Sequence, residues 1–254
     1  MRTLEVISIV NQKGGVGKTT TALNLGAGLT RLGYKVLLID LDAQCNLTLN
    51  LNVSDQEAGT SFQLLTNGTG SVISTSSGDL IPGSRKLASV DTVLPGLFKS
   101  GRQAVLARSI EQFKRYDFII IDTAPSLGLL TINALVASTA CVITTESDMN
   151  SYYGINQVLA TIESCRKYNP GLKTAGILLC KYRKRTVLCR DMHFNIQVLA
   201  RQHNVNVYSM VIRESNLIRE SQALRRSIFD YKPKCAVASD YMDWINEFLM
   251  KEGM

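Results

Sequence analysis

The chain has 254 residues, 45% of them hydrophobic and 19% charged, which is ample for one large α/β domain and short for two. Its longest nearly apolar run, Ala134 to Ile143, is about half of what a bilayer span needs, and Met1-Arg2-Thr3 leads straight into a strand-like segment. A soluble, cytoplasmic protein without a leader peptide is therefore expected, and its surplus of 28 basic over 21 acidic residues is compatible with a nucleic-acid or anionic-surface partner.

The apolar run Leu4 to Val10 predicts a first strand. It is followed by Asn11-Gln12-Lys13-Gly14-Gly15-Val16-Gly17-Lys18-Thr19-Thr20 and then by a helical segment from Thr21 to Leu32. Strand, glycine-rich turn and helix is the context of a phosphate-binding loop. The backbone around Gly14, Gly15, Val16 and Gly17 can curl its N–H groups toward an anion, and the helix N-terminus adds its positive dipole end. In such a loop Lys18 reaches the β- and γ-phosphates, Thr19 offers a hydroxyl to Mg²⁺ and Thr20 completes the cradle.

Val36 to Ile39 is apolar throughout, as a strand buried on both faces should be, and it runs into Asp40-Leu41-Asp42-Ala43-Gln44. Two acids at the C-terminal end of a strand lie where open α/β sheets bind ligands, although a solvated loop with incidental acids reads the same way in isolation. Residues 50 to 79 are rich in Asn, Ser, Thr and Gly, with one helical stretch around Thr60 to Leu65 and loop from Ser71 to Gly78. A short strand is expected at Leu80 to Gly83 and a helix over Gln103 to Phe113. Tyr116 to Ile121 is a further buried-strand run closed by Asp122, the Walker B arrangement in which the carboxylate holds Mg²⁺. Strands are also expected at Cys141–Thr145, Ala175–Leu179 and Val205–Met210. Ala236 to Met250, with Tyr241, Trp244, Ile245, Phe248 and Leu249 at helical spacing, reads as a packing helix. Alternating strands and helices predict a single P-loop NTPase domain over residues 1–254, with a mostly parallel central sheet covered by helices on both faces. The six cysteines form no C-x-x-C pair, and most read as buried small apolar residues in a reducing compartment.

Two segments concentrate positive charge. Lys181-Tyr182-Arg183-Lys184-Arg185 leaves a strand at the nucleotide edge with an aromatic interleaved, and Arg190 follows; a solvated loop is the alternative. The second segment, Ile212 to Tyr231, carries Arg219 and the pair Arg225-Arg226.

Lys-Gly-Gly-Val-Gly-Lys-Thr-Thr, with Lys13 ahead of the glycines and Gln12 where a first glycine is usual, resembles the deviant Walker A motif of the ParA/MinD/nitrogenase-iron-protein class. The resemblance implies an ATP-dependent homodimer in which Lys13 crosses to the partner's nucleotide. Residues 40–44 resemble that family's Asp-x-Asp-Pro-Gln switch, with Ala43 in place of proline; this implies that Asp42 orients the attacking water and Asp40 supports the metal side. Asp122 to Leu135 matches the ParA branch. Arg185-Thr186 resembles its Ala-Arg-Thr region, where an arginine contacts DNA, and Ile212 to Tyr231 resembles the C-terminal ParA signature, where the loop borders the adenine and an arginine faces DNA. Arg225-Arg226 stands where relatives usually carry Gly-Lys.

The implied protein is a ParA-type partition ATPase using ATP and Mg²⁺. Lys13, Lys18 and Asp42 serve catalysis, and Lys181, Arg183, Lys184, Arg185, Arg219, Arg225 and Arg226 bind double-stranded DNA without sequence preference. A ParB-like activator stimulates slow hydrolysis, and the protein is expected in the cytoplasm on the nucleoid. A loop starting at residue 13 leaves no room for an N-terminal operator-binding domain. A MinD-like membrane ATPase is the alternative, but the tail from Asp240 to Met254 sets Asp240, Asp243, Glu247 and Glu252 against Lys251 alone, so no stable membrane binding is expected. A synthetase or an electron-feeding reductase on the same loop is a further alternative; the latter needs cluster-bridging cysteines, for which Cys141 alone is a poor candidate.

Overall fold

The computed structural model describes residues 4–54, 59–184 and 186–253. Strand β1 (Glu5–Val10) leads into helix α1 (Lys18–Arg31), then β2 (Val36–Leu41), α2 (Asn46–Asn50), α3 (Ser61–Asn67), β3 (Ile73–Thr75), β4 (Gly78–Ile81), α4 (Val90–Leu97), α5 (Val105–Ser109), β5 (Phe118–Thr123), α6 (Leu129–Ala137), β6 (Ala140–Thr145), α7 (Met149–Cys165), β7 (Lys173–Leu179), α8 (Val187–Gln202), α9 (Asn216–Ala223), α10 (Ile228–Tyr231) and α11 (Ala236–Lys251). The seven strands form one sheet in the order β3-β4-β2-β5-β1-β6-β7, parallel except for β3 against β4.

The apolar strand runs are buried on both faces. In β1 alternate residues separate cleanly: Ile7 and Ile9 pack with α1 and α11, whereas Val6 and Val10 join the clusters of the opposite face. By the same period of two, Asp40 of β2 and Asp122 of β5 share a side with Leu38 and Ile120, the face covered by α1. The register pairs Asp40 with Asp122, and β5 lies between β2 and β1. The acidic strand ends and the loop after β1 therefore meet at one edge, as the placing of ligands at carboxyl ends of parallel strands requires.

Helix α1 is buried along most of its length, and Gly28 lets it approach its neighbours closely. A Cβ there would stand 2.3 Å from Ile245 Cδ1 and 3.3 Å from Phe229 Cε2. On the other side of that contact, α11 is the expected packing helix: Tyr241, Trp244, Ile245 and Phe248 are all buried, and Trp244 meets Tyr208 edge-on at 5.8 Å.

Three expectations are corrected. Ser71–Gly78 contains β3, an edge strand with only Ile73 to announce it, so its alternation was too weak to read. Gln103–Phe113 is not one helix: α5 is flanked by 3₁₀ turns at Arg102–Ala104 and Ile110–Phe113. Val205–Met210 makes only a bridge between Val207 and Ile177, because the Ser209 and Met210 N–H groups donate to the Glu247 carboxylate at 2.9 Å instead of to a strand. Among the described residues no helix is long and apolar enough to cross a membrane.

Candidate functional site

A cavity of about 500 Å³ opens where β1, β2 and β5 end. One wall is the loop between β1 and α1. Gly15 (φ 77°) and Gly17 (φ 90°) hold left-handed backbone that a side chain would strain, and Gly17 caps α1 so that its free N–H groups point into the cavity. Asn11 fixes the entry to this loop: its amide donates to the Thr144 carbonyl at 2.6 Å and its oxygen accepts from the Lys13 N–H at 2.9 Å. Lys18 is buried, and its Nζ donates to the Lys13 carbonyl at 3.0 Å, spanning the loop. Burial lowers its pKa, opposed by the charges of Asp122 and Asp42.

Asp122 is fully buried, and its carboxylate oxygens lack the close, well-aligned hydrogen bonds that hold Asp40. Burial and the neighbouring Asp40 push its pKa well up, while the Thr19 hydroxyl and the Lys18 ammonium act the other way. A buried carboxylate so incompletely compensated costs free energy unless a cation or further donor completes it. With Thr19 on the cavity wall beside it, the pair suits a hard divalent ion that takes its remaining ligands from phosphate and water.

Asp42 lines the cavity, and its Oδ1 accepts from the Gln44 N–H at 3.0 Å, a local turn that fixes the side chain. Asp40 sits elsewhere than the sequence reading put it. It does not line the cavity; Oδ1 accepts from the Asp42 N–H at 3.1 Å, and Oδ2 accepts from the Thr48 N–H at 2.9 Å and Oγ1 at 2.7 Å. Burial raises its pKa to about 6 despite these bonds. Its carboxylate is spent on holding the turn that carries Asp42, so any support for a metal is indirect.

Lys13 points away from its own cavity. Its Nζ is 2.6 Å from Asp148 Oδ2, 3.3 Å from Ser151 Oγ and 4.0 Å from Glu146 Oε2, and Glu146 Oε1 holds Lys181 at 2.9 Å. Asp148 also caps α7 by accepting from the Ser151 N–H at 2.8 Å. Neither acid was singled out from the sequence; both follow β6, whose apolar run ends, like those of β2 and β5, in acids, and that pattern was the available signal.

The far wall is Ile212–Ser215 with Ile218, Arg219 and Gln222 of α9. Of the basic residues expected to bind DNA, Lys181 and Arg219 line the cavity, as does Arg213; Lys184, Arg225 and Arg226 are exposed and lie outside its lining, and Arg183 is ion-paired with Glu214. Arg185 lies outside the described residues. Tyr182 is half-buried and packs edge-on against His193 at 5.6 Å, not free to stack on a base. Arg225 adopts φ 55° just past α9, with its N–H on the Gln222 carbonyl at 2.9 Å and the Arg226 N–H on the Ser221 carbonyl at 3.0 Å, the paired bonds of a Schellman turn. The cysteines are scattered, four of them buried, and no group of three or more metal-ligating side chains occurs among the described residues.

Residues 4–174 match the family described as AAA domain, and residues 102–252 match that of the 4Fe-4S iron sulfur cluster binding proteins, NifH/frxC family. The sporulation initiation inhibitor protein Soj of Bacillus subtilis is 35% identical, over 96% of this chain and 97% of its own. The chromosome partitioning protein ParA of Caulobacter vibrioides is 31% identical over 98% and 95%. Among solved structures, cobyrinic acid a,c-diamide synthase from Mycobacterium smegmatis with bound ADP and magnesium superposes with a TM-score of 0.84 at 29% identity, covering 100% of this chain and 97% of that one.

Proposed function

The chain belongs to the Soj/ParA family of chromosome-partitioning ATPases, and on that footing we propose that it binds ATP with Mg²⁺, pairs with a second copy, holds DNA without sequence preference and lets go when ATP is hydrolysed. The observation that carries this reading is the convergence of Lys18, Thr19 and Asp42 on one cavity whose opposite wall carries Arg219, with the fully buried Asp122 carboxylate close enough to Lys18 and Thr19 to feel both. Soj and ParA supply the role by kinship. The M. smegmatis structure holds ADP and magnesium in the same fold.

The residues divide the work as follows. The loop N–H groups from Gly14 to Thr20 receive the phosphates, and the Lys18 ammonium leaves the Lys13 carbonyl to meet their charge. Thr19 and Asp122 would hold Mg²⁺, which supplies charge neutralisation between phosphate oxygens. Asp42, pinned by Gln44 and by Asp40 behind it, orients the attacking water. Lys13 leaves Asp148 and reaches the partner's nucleotide. Lys181, Arg183, Lys184, Arg185, Arg219, Arg225 and Arg226 face the duplex, whose phosphates are alike in every sequence. A ParB-like activator then speeds a slow hydrolysis, so that ATP serves as a timer on nucleoid residence.

The test is retention of two unrelated duplexes, with and without Mg-ATP, by the parent, Asp42→Ala and Arg219→Glu. Asp42→Ala should load ATP and remain on DNA; Arg219→Glu should pair normally and lose DNA. Binding that ignores ATP, or ADP production that needs a small carboxylate instead of DNA, would refute the reading.

A further inference from the structure

The turn that presents Arg225 and Arg226 is fastened to α1 on both sides. Before it, the Gln222 side chain donates through Nε2 to Thr20 Oγ1 at 2.9 Å. After it, the Ile228 N–H donates to Asn24 Oδ1 at 2.9 Å, and the Asn24 amide donates in turn to the Thr20 carbonyl at 2.8 Å. Both fastenings therefore reach Thr20, in the first turn of the phosphate-loop helix, directly or through one residue. Gln222 is tied at its other end as well, since its carbonyl accepts the Arg225 N–H. One residue thus touches the phosphate loop with its side chain and the di-arginine turn with its backbone.

The chemistry of that bond gives it a direction. A threonine hydroxyl has one proton to give and two lone pairs to receive with. Gln222 fills a lone pair, so the Thr20 proton is free to be donated into the cavity that both residues line. An anion that accepts this proton polarises the hydroxyl and strengthens the bond from Gln222. Strengthening it fixes the end of α9, and with it the turn that carries the two arginines.

We propose that Gln222 is a positioning residue that couples occupancy of the phosphate loop to presentation of the Arg225-Arg226 turn. The proposal rests on the DNA-binding reading above and names the residue through which ATP acts on that surface. A purely structural tie would stabilise the fold equally with and without nucleotide; this one is sensitive to what Thr20 contacts.

The experiment measures duplex affinity at fixed salt, with and without a non-hydrolysable ATP analogue and Mg²⁺, for the parent, Gln222→Ala, Gln222→Glu and Thr20→Val. The readout is the ratio of the two affinities. Loss of one neutral hydrogen bond should reduce the parental ratio roughly three- to tenfold in Gln222→Ala, with the dependence on salt unchanged because no phosphate contact is removed. Gln222→Glu should reduce it further, since a carboxylate accepts the Thr20 proton and withdraws it from the cavity. Gln222→Ala and Thr20→Val combined should be no worse than the more impaired single variant. A full ratio in Gln222→Ala overturns the proposal, as does equal weakening with and without nucleotide. A parent that shows no ATP-dependent DNA binding removes the DNA-binding reading itself, a separate outcome from parental coupling that persists in Gln222→Ala.

Discussion

Arg225→Gly should make the protein more stable and its hold on DNA weaker. Arg225 stands at the C′ position of α9 with φ 55°, where a Cβ crowds the following carbonyl. The left-handed conformation costs a non-glycine residue about 1–2 kcal/mol. Glycine removes that cost but gains freedom in the unfolded chain, which takes back about 0.4–1 kcal/mol. The side chain's one hydrogen bond, to Asn52 Oδ1 at 3.3 Å, is exposed and adds little. The net gain is about 0–1.6 kcal/mol, or up to about 6 °C in melting temperature for a chain of this size. If Arg225 meets one phosphate in each subunit of a dimer, its loss should lower the slope of log affinity against log salt by about 1.8. Scanning calorimetry without nucleotide reads the first effect, and a filter-binding salt titration with Mg-ATP reads the second. A lower melting temperature would show that the turn depends on the arginine side chain, and an unchanged slope would remove Arg225 from the DNA surface.

Lys18→Ala should abolish ATP-driven pairing by removing the cation that meets the phosphates, whereas Lys13→Ala should still bind nucleotide and fail to pair; chromatography with ATP and equilibrium binding of a labelled analogue separate the two, and a normal dimer from Lys13→Ala would withdraw its role in the partner's site. Asp148→Asn keeps an N-cap for α7 but loses the charge that holds Lys13, so pairing should need about two- to fivefold less ATP, the worth of a partly exposed ion pair; sedimentation over an ATP series checks this. Asp40 has a folded pKa near 6 against 3.8 in the unfolded chain, so the folded protein takes up the extra proton between these values. The nucleotide-free protein should accordingly gain stability from this group as pH falls from 7 toward 4.5, and the parent-minus-Asp40→Asn difference in melting temperature should show that slope.

The phosphate loop, the two acid-ended strands and the packing helix at the C-terminus were legible because each is a local pattern: glycines at a strand–helix junction, apolar runs closed by Asp, and aromatics at helical spacing. What escaped was set by distant partners. Asp40 and Asp42 are two residues apart and chemically identical, yet Thr48 takes one inward while the other faces the cavity. Val205–Met210 has a strand's composition, and its ladder is interrupted by a glutamate on α11. The partners of Lys13 lie more than a hundred residues away and depend on β6 lying next to β1.

The basic surface illustrates how such long-range pairing changes a reading made from composition. Lys181 is held by Glu146 and Arg183 by Glu214, and Arg213, near both, is held by Asp240 at 2.6 Å. Among the described residues Lys184, Arg219 and Arg226 have no ion-pair partner, and Arg225 has only its bond to Asn52. A phosphate approaching Lys181 or Arg183 must displace a carboxylate, so their net contribution is smaller than that of an unpaired cation even though they sit closest to the nucleotide edge. Glu146 also faces Lys13 at 4.0 Å, so movement of Lys13 toward a partner leaves Glu146 more fully to Lys181. The arginines of α9 and its turn make no ion pair among the described residues, although the Arg219 charge bears on Glu214, so in the proposed DNA complex they should carry most of the affinity, while Lys181 adjusts it according to where Lys13 lies.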